Sequence, residues 1–403
     1  MNKLKNGIFF TIVIPTRERS DTLMHAIKTA LSQDYENFRV LVSDNASQDQ
    51  TKEKVEALKD PRIHYINTGQ RVSMSENWEF ALNHVSDGWL TVLGDDDGIL
   101  PGTLKLVNQL IEETGVKAIR SNGCSYSWPG TSAAYYGNIS ISAHRGYEIR
   151  KSKQFLQRVM DGKISYTELP VLYNGGFVST DLIGMAKKVT VKLFHSMTPD
   201  VYSGIVFSHL TEYLYSNEPL AINGASIHSG GTAAFEKKKI KRNYDPAEKF
   251  WKEPNIPFHE DLPLMHSGRP VRSIPVIVYE AYLQAKAFHD LKLISISKSS
   301  QLATTLAKSG PDPSEIMEWA GLFCAKHNVE MPNQLLIRFR SLKDRLSRLL
   351  FRLKRGAYSN RVIGSIRVPL QNVFEASLVA GFVKDAQPYL LQRIRNRIKR
   401  MEK

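Results

Sequence analysis

The chain has little that would staple or anchor it. Only Cys124 and Cys324 are present in 403 residues. They lie far apart and match no ligand spacing, so neither a disulfide framework nor a zinc site is indicated, and a reducing cytosol is the expected compartment. No stretch reaches the roughly 18 to 20 consecutive apolar residues that a membrane-spanning helix needs. The N-terminal run IFFTIVI follows Lys3 and Lys5 as a secretory leader would. Arg17, Glu18 and Arg19 come directly after it, however, and no small-residue cleavage site appears, so the run reads as a buried strand. The sequons Asn45-Ala-Ser and Asn138-Ile-Ser would matter only in a secreted chain.

Acid is scarce beside base: 40 Asp and Glu stand against 54 Lys and Arg, a formal net charge of +14. Such an excess invites a nucleic-acid reading, because Lys and Arg on phosphates dominate that binding. Its distribution argues otherwise. Much of it sits in Arg338, Arg340, Lys343, Arg345, Arg348, Arg352, Lys354 and Arg355 and again from Arg393 to Arg400, while the first hundred residues are nearly balanced. Hydrophobic residues make up 42% of the chain, enough for a real core, and the length implies one large domain with an extension.

From residue 8 to about 120, short apolar runs alternate with helical periodicity, the pattern of a largely parallel sheet with crossover helices. The expected strands are IFFTIVI, FRVLV, RIHYI, WLTVL and VKAIR. Ser20 is placed to cap a helix carrying Leu23, Ala26, Ile27, Ala30 and Leu31. Ser73 and Glu76 have the spacing of a capping box before Trp78, Ala81 and Leu82. Pro101 is expected to open a helix with Leu104, Val107, Leu110 and Ile111 on its apolar face.

Ligands of open α/β sheets bind beyond the carboxyl ends of the strands. Three polar loops fall there: PTRER after the first strand, SDNASQD after the second and GDDDG after the fourth. They are predicted to converge on one rim. Polar residues in such loops are also ordinary helix caps, and SDNASQD alone favours that reading. GDDDG is different, since Asp95, Asp96 and Asp97 repel one another unless solvent or a cation offsets their charge.

Beyond residue 120 the pattern weakens. Asn122 to Gly146 is rich in Ser, Tyr, Gly and Trp, as either a substrate-facing segment or a plain surface excursion would be. Residues 150 to 235 complete the domain, and after about 265 VIVYEAYLQAKAFHDL and SEIMEWAGLFCAKH read as helices broken at Pro311 and Pro313. From Asn333 to Arg355 a further helix aligns Phe339, Leu342, Leu346, Leu349 and Leu353 among basic residues. That stripe suits an anionic membrane surface, a short coiled coil or the protein's own body.

TIVIPTRERSDTLMHAIKTALSQDYENFRVLVSDNASQDQT, NTGQRVSMSENWEFAL, LTVLGDDDGILP and MTPDVYSG, in this order, make residues 8 to 235 resemble glycosyltransferase family 2, the nucleotide-sugar-dependent enzymes of the GT-A fold. The resemblance implies an α/β, Rossmann-like catalytic domain over 1–235, with a nucleotide-binding half (8–120) and an acceptor half (121–235). Residues 236–403 would form a mainly helical extension. It also implies that Pro15, Thr16, Arg17 and Glu18 line the nucleoside pocket, that Asp44 hydrogen-bonds the base, and that Arg71 and Asn77 help close it.

GDDDG would be the acidic motif that holds a divalent metal, with Asp95 and Asp97 as its DxD pair. Relatives often carry an acid where Gly94 stands, which leaves Asp96 as an alternative principal ligand. Asp200 in TPDVYSG corresponds to a catalytic carboxylate. His228 would be a further metal or diphosphate contact or else a structural histidine, and His195 and His209 have no better case.

The chemistry fits these residue types. A departing nucleoside diphosphate gains charge that Mg2+ or Mn2+ can stabilise, and such hard ions prefer carboxylate and phosphate oxygens. One base then suffices to take the acceptor's proton. The expected function is inverting sugar transfer from a nucleotide sugar, UDP-linked in the first instance, to a hydroxyl of a cell-surface glycan. The acceptor would be lipid-linked and met at the inner face of the membrane by a cytoplasmic or peripheral enzyme that binds no nucleic acid. A sugar-phosphate nucleotidyltransferase would want a Gly-rich loop after the first strand, and PTRERS offers none. A noncatalytic glycan- or nucleic-acid-binding protein would be indifferent to GDDDG.

Overall fold

Short runs rich in β-branched residues suit a half-buried pleated surface, and they build the central sheet. A computed structural model describes residues 7–131, 137–142, 144–227, 229, 251–291, 296–308, 312–335, 337–342, 346, 366–367 and 370–386. Strands β1 (Phe10–Thr16), β2 (Phe38–Asp44), β3 (Ile63–Asn67) and β4 (Trp89–Val92) pair in parallel in the order β3-β2-β1-β4. Each begins or ends within about two residues of the run expected from sequence. Their crossovers are α1 (Ser20–Leu31), α2 (Thr51–Glu56) and α3 (Met74–Leu82).

Two helix starts differ from expectation. Ser20 is the first helical residue rather than the cap: Arg19 holds the cap position, and the Ser20 N–H donates instead to Asp49 Oδ2 at 3.0 Å. Pro101 lies in a turn two residues ahead of α4 (Thr103–Thr114), because Gly102, with a left-handed φ of 72°, holds the cap position between them. The capping box forms at its first half, with the Glu76 N–H donating to Ser73 Oγ at 3.3 Å.

After β4 the chain leaves the central sheet. β5 (Gly98–Ile99) joins a second sheet, whose order is β13-β8-β7-β12-β5 with β7 (Cys124–Ser127), β8 (Asn138–Ile141), β12 (Ala221–Ala225) and β13 (Ile366–Arg367). The central sheet continues through β10 (Gly176–Ser179), which lies antiparallel between β4 and β6 (Ala118–Ser121). β11 (Tyr213–Ser216) and β9 (Tyr147–Arg150) complete its eight strands. The fifth expected strand therefore does not neighbour the fourth. Asp95, Asp96 and Asp97 sit where the backbone passes from one sheet to the other.

One face of the central sheet packs on α1 and α4, with Leu23, Ala26, Ile27, Leu104 and Val107 buried. The other is covered by α3, α5 (Ser152–Met160), α6 (Thr180–Lys187) and α7 (Pro199–Leu210). Helices α8 (Ile274–Gln284), α9 (Lys298–Lys308) and α10 (Pro313–His327) extend the same core through Tyr279, Leu302, Trp319 and Phe323. The helical residues 373–386 place Val373, Ala376 and Ala380 against Tyr126, Trp128 and Ile139 of the second sheet. Described residues beyond 236 thus share core clusters with the residues before them. Of the basic helix expected from Asn333 to Arg355, Asn333 precedes the helix and residues 334–335, 337–342 and 346 are described and helical; the rest, with Arg393 to Arg400, lie outside the described residues.

Candidate active site

The three polar loops meet. The Glu18 N–H donates to Ser47 Oγ at 2.9 Å, and the Gln48 N–H donates back to Glu18 Oε1 at 3.1 Å, joining the loops after β1 and β2. Thr16 Oγ1 donates to Asp95 Oδ2 at 2.8 Å, joining the loops after β1 and β4. Glu18 holds a positive φ of 54°, uncommon for a residue with a side chain and typical of tight functional turns.

All three aspartates are buried, and each carboxylate has different partners. Asp95 accepts from Thr16 and, at 2.8 Å, from Arg19 Nη1. Asp96 Oδ2 accepts from Ser226 Oγ at 2.6 Å and from Ser229 Oγ at 2.5 Å. Asp97 accepts from the Tyr173 hydroxyl at 2.7 Å and from the Gly224 N–H at 2.7 Å. Burial raises Asp95 above the usual carboxylate range, with the Arg19 charge pulling the other way. Burial pushes Asp97 up to about 8, and the neighbouring Asp96 charge adds to the rise.

Two glycines let this packing exist. A Cβ at Gly94 would meet the Asp97 carboxylate and the Tyr173 hydroxyl, so a side chain there would displace that hydrogen-bonded pair. A Cβ at Gly224 would meet the Asp96 carbonyl, which also accepts from Trp128 Nε1 at 2.8 Å.

Asp200 is the second residue of α7, where its own N–H and that of Val201 stabilise the carboxylate. Burial nonetheless raises it above the ordinary range; Arg120 and a hydrogen bond from Tyr166 act in the lowering direction. Tyr173 stands between the two acidic groups, close enough to Asp97, Asp96 and Asp200 for all three charges to raise its hydroxyl, beyond the effect of burial. Arg120, buried on β6, donates to the carbonyls of Thr167, Tyr173 and Asn174 at 2.8, 2.7 and 3.0 Å. It thereby fixes the segment that carries both Tyr166 and Tyr173.

The remaining expected residues are placed unequally. Asp44 lies under the rim, with Oδ2 accepting from Tyr65 at 2.6 Å and Oδ1 from the Ser47 N–H at 3.0 Å. Arg71 pairs with Glu18 at 2.8 Å on the open side. Asn77 is buried and spends both ends of its amide on Ser43, so it braces the loop after β2 from beneath. Pro15 ends β1 beside Thr16. Arg17 is ion-paired with Glu253, whose other oxygen accepts from the Met74 N–H at 3.2 Å. His228 lies outside the described residues.

Residues 11–166 match the family model "Glycosyl transferase family 2". This segment belongs to glycosyltransferase family 2. It is 34% identical over 106 residues to a GalNAc(5)-diNAcBac-PP-undecaprenol beta-1,3-glucosyltransferase of Campylobacter jejuni, covering 26% of this chain and 34% of the relative. It is 25% identical over 132 residues to the succinoglycan biosynthesis protein ExoO of Rhizobium meliloti, covering 33% of this chain and 38% of that one. The matches thus span little more than a third of those relatives. Among solved structures, S. aureus TarS 1–349 aligns over 81% of this chain and 93% of its own with 12% identity and a TM-score of 0.42.

In this family 2 domain the carboxylate oxygens of Asp95, Asp96 and Asp97 are hard donors, and their crowding is the kind a divalent cation relieves. As placed, each is turned to protein hydrogen-bond donors. Among the described residues no three potential ligands are arranged around one point. The chemistry of the donor set fits Mg2+ or Mn2+, while the arrangement is not preformed.

Arg19, Tyr173, Tyr166, Arg120, Ser226, Ser229 and Glu253 are the partners that sequence reasoning missed. Arg19 stood in PTRER and Tyr173 directly precedes NGG, but nothing local says that either reaches an aspartate more than seventy residues away.

Proposed function

We propose that the chain is an inverting glycosyltransferase that moves a sugar from a nucleotide-activated donor, UDP-linked in the first instance, to a hydroxyl of a bacterial cell-surface glycan. The observation that carries this reading is the meeting of the three loops at Asp95, with Tyr173 linking that cluster to Asp200. This supports reading the donor-binding groups and the lone carboxylate as parts of one site.

In this reading Pro15, Thr16, Arg17 and Glu18 line the nucleoside pocket, Asp44 and its Tyr65 and Asn67 partners meet the base, and Arg71 covers the open side. Asn77 acts through Ser43. Asp200 accepts the proton of the acceptor hydroxyl as its oxygen bonds to the anomeric carbon. The bond from that carbon to the diphosphate breaks, and its electron pair leaves with the nucleoside diphosphate, so the anomeric centre inverts. A divalent cation held by Asp95, Asp96 and Asp97 would neutralise charge on the departing diphosphate. Arg19, already among these carboxylates, supplies a fixed positive charge on the same side.

The undecaprenol in the Campylobacter relative's name and the succinoglycan relative support a lipid-linked glycan acceptor; in this reading it is met at the inner face of the cytoplasmic membrane. A thermal-shift panel of nucleotide sugars tests the donor reading, since a ligand of the folded state raises Tm. One nucleotide series should stabilise the protein only with Mn2+ present. A response to none of them, with salt-sensitive nucleic-acid binding that ignores Asp97→Ala, would contradict it.

A further inference from the structure

An amphipathic helix that belongs to a protein's core turns its apolar face inward. The helix carrying residues 337–342 does the reverse. Ile337 packs on the central core, and Arg340 Nη1 donates to the Ser300 carbonyl at 3.2 Å, so this face docks on the body. Leu335, Phe339, Leu342 and Leu346 recur at intervals of three and four residues on the other side, with exposures of 72%, 65%, 65% and 55%. In sequence Leu349 and Leu353 repeat the same spacing, and Arg338, Lys343 and Arg345 fall between the apolar positions.

We propose that this outward stripe is a docking surface for an anionic lipid bilayer, into which Leu335, Phe339, Leu342 and Leu346 insert while the flanking Arg and Lys meet the headgroups. Charge selects this occupant. A second copy of the chain would bring the same basic flanks together, whereas an anionic surface complements them. No helix of the described residues is long and apolar enough to cross a membrane, so the helix lies in the interface. The proposal does not depend on the catalytic reading, because it concerns where the protein resides and not what it transfers.

The test is co-sedimentation of the full chain with vesicles of phosphatidylglycerol and phosphatidylethanolamine, beside vesicles of phosphatidylcholine alone. The native chain should bind the anionic vesicles at least about tenfold more strongly than the neutral ones, and less at high salt. The double variant Phe339→Asp with Leu342→Asp should lose binding by about tenfold or more, with an unchanged Tm because both positions are exposed. Full binding by the double variant overturns the proposal. So does a native chain that ignores vesicles and sediments as a dimer which the double variant disperses.

Discussion

The aspartate cluster and Asp200 are held in different ways. Asp95, Asp96 and Asp97 share their charge among donors from three separate stretches of chain: Thr16 with Arg19, Tyr173, and Gly224 with Ser226 and Ser229. Asp200 has the first turn of its own helix and one tyrosine. A cluster tied down from many sides holds excess negative charge in place, as binding a cation and a diphosphate requires. Burial lifts Asp95 and Asp97 as it lifts Asp200, so what sets Asp200 apart is that few donors hold it, which suits it to exchange a single proton.

The sharpest way to break that contrast is to neutralise one group at a time. Asp200→Asn should lower sugar transfer by about 10²- to 10⁴-fold while Mn2+-dependent nucleotide binding persists, which a calorimetric titration checks. Asp97→Ala should lower transfer by about 10²- to 10³-fold and also abolish the metal-dependent rise in Tm. Equal loss of binding in both variants would erase the distinction.

Arg120 ties the two groups together through the segment it clamps. Arg120→Met leaves the carbonyls of Thr167, Tyr173 and Asn174 without their donor, so denaturant unfolding should show a loss of about 3 kcal/mol. The Arg120 charge lowers Asp200, and its removal should shift the acid limb of the rate profile to higher pH.

The smallest effect is expected beneath the cleft. Glu280 of α8 accepts from Ser196, just ahead of α7, and from Gln284 at 2.9 Å, and burial pushes its carboxyl up to about 7 from an ordinary 4.5. The folded chain therefore holds this proton more tightly than the unfolded chain. Its stabilising contribution is complete below the unfolded value and is lost as pH rises through the folded one. Glu280→Gln should remove that dependence and gain on the order of 1 to 2 kcal/mol over the native chain at pH 8, as paired thermal melts would show.

What sequence made legible follows from range. β1 to β4 and α1 were readable because their apolar periods are local, and the convergence of the three loops followed from strand ends alone. The place of β10 was not readable, since GFVS is short and its pairing with β4 and β6 is set by tertiary contact. The partners of the aspartates were hidden for the same reason: Gly224 is 127 residues from Asp97. The basic helix was visible as amphipathic, but only its docking through Ile337 shows which face is left outside.

The central claim is that binding and chemistry are divided between Asp97 and Asp200. Its most direct test is calorimetric titration of UDP with Mn2+ into the native chain, Asp200→Asn and Asp97→Ala, with donor turnover followed in the same samples. The account predicts native-like binding without turnover for Asp200→Asn, and neither for Asp97→Ala. Turnover at the native rate in both folded variants would contradict it.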